Sequence, residues 1–576
     1  KLSLISTAIT AALLLSACGS DNKITDSSEQ PQVIAPVETP ATPAPSQPTV
    51  TDTALSKLYA TPRTTEQRNT INSWYQAGEA ELNQALQVIN ASTPRSTQTL
   101  PALENAKINR QKAKNIILFV GDGMGISTVT ASRILAGQMQ GNTGEEHMLS
   151  FDQFPFTALS KTYNTNQQTP DSAGTMTAMM AGVKSKAGVI SVGENVIRGN
   201  CASVAGNELV SALSLAEMAG KKTGIISTAR ITHATPAATY AVSPERDWES
   251  DSNIPAAEQA AGCRDIAQQL VDYGYGDGID VVLGGGLRQF IPKAEGGKRN
   301  DNQNLTQVWQ AKGEQRTFVT DKAGLDNVDL ANTKQLMGLF TSSHMSYEAD
   351  RPVTEPSLTD MTTKALDLLT KEQDEGFFLM VESGRIDHGH HANSAYNALT
   401  DTIEFSRAVQ AAVDNTDSSE TLIIVTADHG HVFTIAGYPK RGNPILGKVV
   451  DVGTEKLAKG LDGLPYTTLS YANGPGFHDF GDETNADRVY YTKPFMGRAD
   501  LTHIDTQSSG FHQEAMIAKR SESHSGEDVA VYATGPGAHL VSGTQEQSGI
   551  FHIMNFAANL SGKAETALRQ QKALSQ

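Results

Sequence analysis

Short, uninterrupted apolar runs recur along this chain between helical segments, and they limit its possible folds more strongly than its overall composition does. Such runs are typical of parallel strands that are buried on both faces of a sheet. They begin at residues 115, 222, 279, 377, 421 and 529, with the sequences NIILFV, KTGIIST, IDVVLGGG, FFLMVES, TLIIVTA and VAVYAT. Helical patterns, such as those over 206–219 and 357–370, separate them. The alternation predicts an α/β fold with a doubly wound, mostly parallel central sheet flanked by helices.

Acidic and histidine residues stand at the ends of several of these runs. Asp122 lies between two glycines directly after the first run, Glu382 is the second-last residue of the fourth, and Asp428 and His429 follow the fifth. The carboxyl ends of parallel strands share one edge of a sheet, which is where α/β proteins bind ligands. For a single aspartate at such a place, a helix cap is the better explanation. Their recurrence at several strand ends favours a functional site.

The stretch RIDHGHH adds a second acid–histidine pair. Asp387 and His391 are four residues apart, so one turn of helix would present both side chains on the same face. His524 precedes the last apolar run. A carboxylate oxygen presented together with imidazole nitrogens suits a borderline metal such as zinc. Surface histidines and helix caps are the alternative, and the placement at strand ends favours the metal.

The stretch TPDSAGTMTAMMAG supplies a candidate nucleophile. Ser172 precedes a helical run from Ala173 to Met180. Serine at such a position is usually a helix cap. The same position points the hydroxyl toward the positive end of a helix, which attracts anions. A metal ion that bound this oxygen would lower its pKa and activate it for attack.

Taken together, the longer motifs of the chain resemble those of a known family. The motifs VGDGMG, PDSAGTMTAMMAG, ITHATPAATYA, VESGRIDHGHH, VTADHGH and SHSGEDVAVYATGP are similar, in the same order, to those of the alkaline phosphatases over roughly residues 112–560, and closer to the animal-type members. The resemblance implies a homodimeric, metal-dependent phosphomonoesterase with two zinc ions and one magnesium ion per subunit. Ser172 would be the nucleophile that becomes phosphoserine. Arg246 would clamp the phosphate through two parallel hydrogen bonds.

The resemblance also implies which residues bind the metals and which lie behind those ligands. The first zinc would be held by Asp387, His391 and His524. The second zinc would be held by Asp122, Asp428 and His429. Magnesium would share Asp122 with Thr235 and Glu382. The supporting residues would be His233, His388 and His431. Two zinc ions about 4 Å apart would stabilise both the attacking and the leaving oxygen.

Two of the supporting histidines mark a departure within the family. His233 and His388 stand where the best-known enterobacterial type carries Asp and Lys, which would change the affinity of the magnesium site. Animal-type members also bind calcium. The corresponding loop in this chain, 291–304, is short, and we assign no calcium to it.

The amino terminus predicts export. Residues 1–17 read as a secretion signal, and the stretch ending at Cys18 resembles a bacterial lipobox. An ordinary signal peptide with an incidental cysteine is the alternative. Residues 18–52 are rich in Pro, Thr and Ser and predict a flexible linker, followed by a catalytic domain over 53–576 with an insertion at about 432–520. We therefore expect a periplasmic or cell-surface protein that contacts the membrane only through its lipid.

The remaining cysteines and the net charge agree with this interpretation. Cys201 and Cys263 would enter an oxidising compartment and form a disulfide, with two free buried thiols as the alternative. A matching pair in the animal-type members supports the disulfide. The formal net charge of −17 disfavours nucleic acid as a partner. An anionic substrate, such as a small phosphate monoester, would then require local cations.

Two other functions stay open from the sequence. One is a related metal-dependent hydrolase, such as a phosphodiesterase or sulfatase. The other is a lipoprotein that binds phosphate or metal without turnover. Ser172 lacks the motif of a sulfatase nucleophile, and a serine together with Arg246 disfavours a phosphodiesterase. The complete set of nucleophile, arginine and ligands disfavours a protein that only binds.

Overall fold

The computed structural model describes residues 69–91, 112–371, 374–476 and 498–574. The predicted signal at 1–17, the predicted lipid site at Cys18 and the predicted linker over 18–52 lie outside these residues. Within the described residues, no helix is both long and apolar enough to cross a bilayer.

The strands are numbered in chain order. They are β1 Asn115–Gly121, β2 Phe156–Lys161, β3 Lys222–Arg230, β4 Val281–Gly285, β5 Arg316–Val319, β6 Gln335–Leu339, β7 Phe377–Ser383, β8 Thr421–Ala427, β9 Gly430–His431, β10 Phe433–Ile435, β11 Leu469–Gly474, β12 Ala515–Ala518, β13 His524–Ser525, β14 Val529–Thr534 and β15 Gly543–Glu546.

The helices of the described residues follow the same convention. They are α1 Ser73–Ala91, α2 Ile126–Met139, α3 Ser172–Ala181, α4 Ala212–Met218, α5 Ala234–Ala237, α6 Ala256–Ala260, α7 Ile266–Val271, α8 Leu305–Gln310, α9 Lys322–Asp326, α10 Leu358–Leu369, α11 Arg385–His391, α12 Ala395–Asp414, α13 Gly549–Ala558 and α14 Leu560–Leu574.

Ten strands form the central sheet, in the order β15-β2-β14-β8-β1-β7-β3-β4-β6-β5. Strand β1 lies at its centre and pairs in parallel with β7 and β8. Gly121, the last residue of β1, is in register with Ser383 on one side and Ala427 on the other. The three strands therefore end at the same level, and the residues that follow them meet at one edge. The predicted doubly wound, mostly parallel sheet is confirmed.

Strand β14 is an exception to the parallel arrangement. It runs antiparallel to both of its neighbours, β2 and β8. Its amino end therefore lies at the same edge as the carboxyl end of β8. For this reason the segment before β14, which carries His524, joins residues that follow the parallel strands.

The two faces of the sheet pack against separate apolar cores. Ile116 and Leu118 of β1 belong to one cluster, whereas Ile117 and Phe119 belong to the other. All four side chains are fully buried. Alternate residues thus face opposite helical layers, which explains why the strand sequence is apolar without interruption.

A disulfide and a small second sheet lie outside the central sheet, and both correspond to features predicted from the sequence. Cys201 and Cys263 are joined in a disulfide, as predicted. Strands β10, β11 and β12 form a separate three-stranded sheet. This small sheet lies within the segment, at about 432–520, that we predict to be an insertion.

Candidate active site

The turn after β1 explains why an aspartate stands between two glycines. Gly123 has a φ of +69°, and a Cβ atom built on it would lie 2.3 Å from Nε2 of His431. Only glycine fits such a left-handed position against a neighbouring ring. The Gly123 backbone N–H donates to Oδ1 of Asp428 at 3.0 Å. The turn therefore brings Asp122 into the site and anchors a second carboxylate at the same time.

Ser172 begins helix α3, but it is not the residue that caps the helix. The cap is Asp171, whose carboxylate accepts from the backbone N–H of Gly174 at 3.2 Å. The capping explanation for Ser172 is therefore wrong. Its side chain is buried at the amino end of the helix, with Oγ 3.2 Å from Nε2 of His429 and 3.4 Å from Oδ1 of Asp122. The hydroxyl thus lies among candidate metal ligands.

Asp122, Asp428 and His429 form one compact group. Nε2 of His429 lies 3.4 Å from Oδ1 of Asp122 and 3.3 Å from Oδ2 of Asp428, and all three side chains are fully buried. Burial, reinforced by the Asp428 carboxylate, raises the pKa of Asp122 well above its usual value. Burial lowers the pKa of His429 well below its usual value, which leaves a lone pair free for a metal. Two buried carboxylates and a neutral imidazole are suitable zinc ligands.

Asp387, His391 and His524 form a second group beside the first. Oδ1 of Asp387 lies 3.3 Å from Nε2 of His391 and 3.3 Å from Nε2 of His524, and the two nitrogens are 3.1 Å apart. Helix α11 carries the first two residues one turn apart, as predicted. The ring of His524 stacks on that of His429 with centroids 3.6 Å apart. The two groups are therefore in direct contact.

Backbone carbonyl groups fix the orientation of both histidines in the second group. Nδ1 of His391 lies 2.6 Å from the carbonyl oxygen of Glu522, and Nδ1 of His524 lies 2.8 Å from that of Pro170. A carbonyl can only accept, so each Nδ1 is the donor, and in the neutral imidazole the Nε2 lone pair then faces the site. This arrangement holds a histidine ready for a metal. The contact with Pro170 also ties the second group to the segment that carries Ser172.

His431 lies behind the second group, between two carboxylates. Its Nε2 is 2.9 Å from Oδ1 of Asp387, and its Nδ1 is 2.5 Å from Oε2 of Glu522. Burial alone would lower the pKa of His431, but Glu522 and Asp387 together raise it to about 10. A carboxylate oxygen thus faces each ring nitrogen, and His431 supports Asp387 from behind.

A third group of candidate ligands shares Asp122 with the first group. Ligand atoms of Asp122, Glu382 and His233 lie within 4.8 Å of one another. The buried polar atoms of this group that have no hydrogen-bond partner among the described residues are Asp122 Oδ2, Thr235 Oγ1, Glu382 Oε1 and His233 Nδ1. Unpaired buried oxygens are costly unless a cation satisfies them. The residues present therefore fit a bound metal ion.

Arg246 lies at the more open end of the site. Its Nη1 donates to Oδ2 of Asp171 at 3.0 Å, and its Nη2 lies 3.3 Å from Nε2 of His233. Its side chain is 18% exposed, whereas Ser172 and the carboxylates around it are buried. Asp171 also accepts from the backbone N–H of Gly188 at 2.8 Å. The arginine is thus held in a defined orientation beside the candidate nucleophile.

His388 lies farther from the ligands, in a cluster of imidazole rings. Its ring centroid is 5.7 Å from that of His233 and 4.1 Å from that of His344. Burial lowers the pKa of both His388 and His344 well below the usual value, so the cluster is neutral. The structure thus brings together all the candidate nucleophile, phosphate and metal residues that the sequence predicts.

Sequence reasoning missed three residues of the site: Asp171, His344 and Glu522. Asp171 was visible as the neighbour of Ser172, but its pairing with Arg246 spans 75 positions. Glu522 stands two residues before His524, and residues two apart on an extended chain point to the same side. That spacing was the available signal. His344 lies in a loop after β6, and nothing in its local sequence marks it.

Comparison with known proteins decides the family. Residues 113–560 match the family model described as alkaline phosphatase. The chain belongs to the alkaline phosphatase family. The tissue-nonspecific alkaline phosphatase of Homo sapiens is 43% identical over 472 residues, which cover 79% of this chain and 86% of the human protein. The protein is therefore a phosphomonoesterase of this family, as the sequence motifs predicted.

Solved alkaline phosphatases share the fold. The enzyme from the Antarctic bacterium TAB5 aligns with a TM-score of 0.53 and 23% identity, covering 78% of this chain and 99% of that one. The enzyme from Thermus thermophilus aligns with a TM-score of 0.55 and 24% identity, covering 83% and 100%. At 23–24% identity, these two structures establish the fold of this chain. The chemistry of this chain must be argued from its own residues.

Proposed function

We propose that this alkaline phosphatase hydrolyses small phosphate monoesters through a phosphoserine formed on Ser172. The observation that carries the proposal is the position of the Ser172 hydroxyl, which is buried within 3.4 Å of both Asp122 and His429. A serine that only filled space would have no reason to lie between a carboxylate and an imidazole. The amino end of α3 adds a partial positive charge that favours an incoming phosphate.

We infer two zinc sites from the chemistry of the donors. Asp387, His391 and His524 would hold the first ion, and the second would be held by Asp122, Asp428 and His429. Both sets combine carboxylate oxygens with unprotonated imidazole nitrogens, which zinc prefers. When bound, the pair of zinc ions would supply positive charge to the attacking and leaving oxygens of phosphoryl transfer.

The phosphoryl group would be transferred twice, first to Ser172 and then to water. Ser172 Oγ would form a bond to phosphorus while the bond from phosphorus to the ester oxygen breaks and the alcohol leaves. Water would then displace Ser172 from phosphorus, which releases inorganic phosphate and restores the hydroxyl. Arg246 would hold two phosphoryl oxygens through parallel hydrogen bonds in both steps. Asp171 would keep the guanidinium in place.

The third group would hold magnesium. Its protein oxygens would come from Asp122, Thr235 and Glu382, and oxygen is the ligand that magnesium prefers. A solved variant of the TAB5 enzyme is described with magnesium bound in its M3 site. His233, whose Nδ1 has no hydrogen-bond partner among the described residues, would influence this site from beside Asp122 and Glu382.

The sequence supports proposals about location and assembly. We propose that the protein is exported, lipidated at Cys18 and tethered by residues 18–52 in the periplasm or at the cell surface. We also propose a homodimer, on the resemblance to the family. Light scattering on the soluble body, from about residue 53 onward, would give the mass in solution. A mass of a single chain would contradict the dimer.

Hydrolysis of 4-nitrophenyl phosphate at mildly alkaline pH, with zinc and magnesium present, tests the proposed function. Ser172→Ala should abolish turnover, whereas Ser132→Ala, which changes another buried serine on α2, should leave it intact. Bis(4-nitrophenyl) phosphate should be a much poorer substrate. A strong preference for the diester would replace the proposal with a diesterase. Failure to cleave either ester with metals bound would favour a binding protein.

A further inference from the structure

We propose that Glu522 is a positioning residue that sets the geometry, and thereby the zinc affinity, of the first metal site. The inference rests on the proposed function, because it takes the group of Asp387, His391 and His524 as a zinc site. Glu522 itself contacts none of the Nε2 or Oδ atoms that would face the metal. It acts through His391 and His431, which it holds from behind.

The contacts of Glu522 reach both histidines at once. Its backbone carbonyl accepts from Nδ1 of His391 at 2.6 Å. Its backbone N–H donates to the backbone carbonyl of His391 at 2.9 Å. Its carboxylate accepts from Nδ1 of His431 at 2.5 Å and from the backbone N–H of Val432 at 2.8 Å. One residue thereby joins helix α11 to strand β9.

The link continues from His431 to the ligand Asp387. With Nδ1 donating to Glu522, the opposite nitrogen of His431 is directed at Oδ1 of Asp387, 2.9 Å away. Glu522 therefore fixes the ring of one ligand, His391, and supports the carboxylate of another. Strand pairing reinforces the arrangement, because His431 of β9 is in register with His524 of β13. Glu522 is only 2% exposed, so water cannot replace it easily.

Glu522, His391 and His431 are close enough to suggest a metal site of their own, because their ligand atoms lie within 4.8 Å of one another. Their hydrogen bonds argue against it. Both carboxylate oxygens and both Nδ1 atoms already have partners. Among the candidate ligands of the described residues, the oxygens without a hydrogen-bond partner belong instead to Asp122, Thr235 and Glu382. Glu522 is therefore better explained as support for a metal site than as a ligand.

The substitution Glu522→Gln tests this role with little change in shape. Both groups that face the carboxylate are donors, so the amide nitrogen of glutamine would oppose one of them. The backbone contacts with His391 would remain. Glu355→Gln is a matched control, because Glu355 is also buried and its oxygens accept from the backbone N–H of Ser346 at 2.7 Å and from its hydroxyl at 3.0 Å.

Zinc binding, rather than activity alone, is the readout. Zinc would be withdrawn from the full chain with graded chelator, and cadmium NMR of the cadmium-loaded protein would separate the sites. We expect Glu522→Gln to weaken zinc binding at the first site by roughly 10- to 100-fold, with its cadmium resonance shifted. The second site should change by less than about 2-fold, and Glu355→Gln should leave both sites unchanged.

A double substitution separates positioning from a general loss of structure. If Glu522 acts through His431, most of its effect on the first site should disappear in the His431→Gln background, so the two losses should not add. Additive losses, equal losses at both zinc sites, or unchanged affinity at the first site would overturn the inference. If the unmodified protein bound fewer than two zinc ions, the metal assignment of the proposed function would fail first, and the inference with it.

Discussion

The hydroxyl oxygen of Ser172 lies 3.2 Å from Nε2 of His429, although 257 residues separate them in the sequence. The sheet explains the contact. His429 follows the end of β8, which is paired to β1, and Ser172 begins the helix that lies above this edge. One short distance thus joins the candidate nucleophile to a candidate metal ligand.

Arg246 should contribute to the binding of phosphate in both the ground state and the transition state. The substitution Arg246→Ala removes hydrogen bonds to the charged phosphoryl group of the substrate. The kcat/KM for 4-nitrophenyl phosphate should therefore fall about 10- to 100-fold. Arg198→Ala is the matched control, because Arg198 pairs with Glu245 and is 48% exposed. That variant should change kcat/KM by less than about 2-fold. Equal losses in the two variants would remove Arg246 from its proposed role.

Metal removal should cost both activity and stability. In the absence of cations, the buried carboxyl groups of Asp122, Asp428 and Glu382 are left close together, and the burial of acidic groups without a metal opposes folding. We expect dialysis against a chelator to abolish turnover and lower Tm by several degrees. Zinc with magnesium should restore both, whereas magnesium alone should not, because imidazole ligands favour zinc. Full activity in chelator-treated protein of verified zero metal content would refute the metal assignment.

The disulfide should stabilise the part of the chain that carries Arg246. Cys201 and Cys263 are separated by 62 positions, and closing a loop of that length is worth about 2–4 kcal/mol in the free energy of unfolding. The paired substitution Cys201→Ser with Cys263→Ser should lower Tm accordingly, and a reducing agent should lower the Tm of the unmodified protein. Calorimetry with and without reductant measures both effects. If the reducing agent lowered the Tm of the double variant as much as that of the unmodified protein, its effect would not come from this disulfide.

Asp280 predicts a pH-dependent stability that is unrelated to the metals. It is 4% exposed, and burial raises its pKa to about 7. A carboxyl group with a pKa higher in the folded than in the unfolded state favours folding when protonated, so its penalty grows as pH rises from about 4 to about 7. Asp280→Asn should therefore increase the free energy of unfolding at pH 8 by about 2–4 kcal/mol.

The size of that gain should depend on pH. At pH 5 the unmodified protein already binds the proton for most of the time, so the advantage of Asp280→Asn should be much smaller. The asparagine oxygen can still accept from the Thr223 backbone N–H, as Oδ2 of Asp280 does at 2.8 Å. Denaturant unfolding at the two pH values gives the comparison. A gain that is the same at pH 5 and pH 8 would mean that titration of Asp280 is not its source.

The central sheet was predictable from the sequence because strands buried on both faces have uninterrupted apolar sequences. Ile116 to Val120 are apolar without interruption since their side chains enter two separate cores. The reversed direction of β14 was not predictable, because an antiparallel strand between buried neighbours has the same composition. Its direction nevertheless decides where His524 lies.

The candidate site was predictable where function depends on residue type and order, and less so where it depends on packing. Ser172 and Asp387 stand in long motifs, which made them visible. The capping residue Asp171 was less visible, because its pairing with Arg246 exists only after distant segments meet. Glu522 likewise acquires its role only when β9 and β13 pair and bring His431 within reach.

Trapping the covalent intermediate would give the sharpest test of the proposed chemistry. The protein would be mixed with a phosphate monoester, quenched in acid and digested, and the peptide that contains Ser172 would be analysed by mass spectrometry. We expect one phosphoryl group on Ser172, and none on this peptide in the Ser172→Ala variant. Active enzyme whose phosphoryl group is found on another residue, or is never found on the protein, would refute the phosphoserine mechanism.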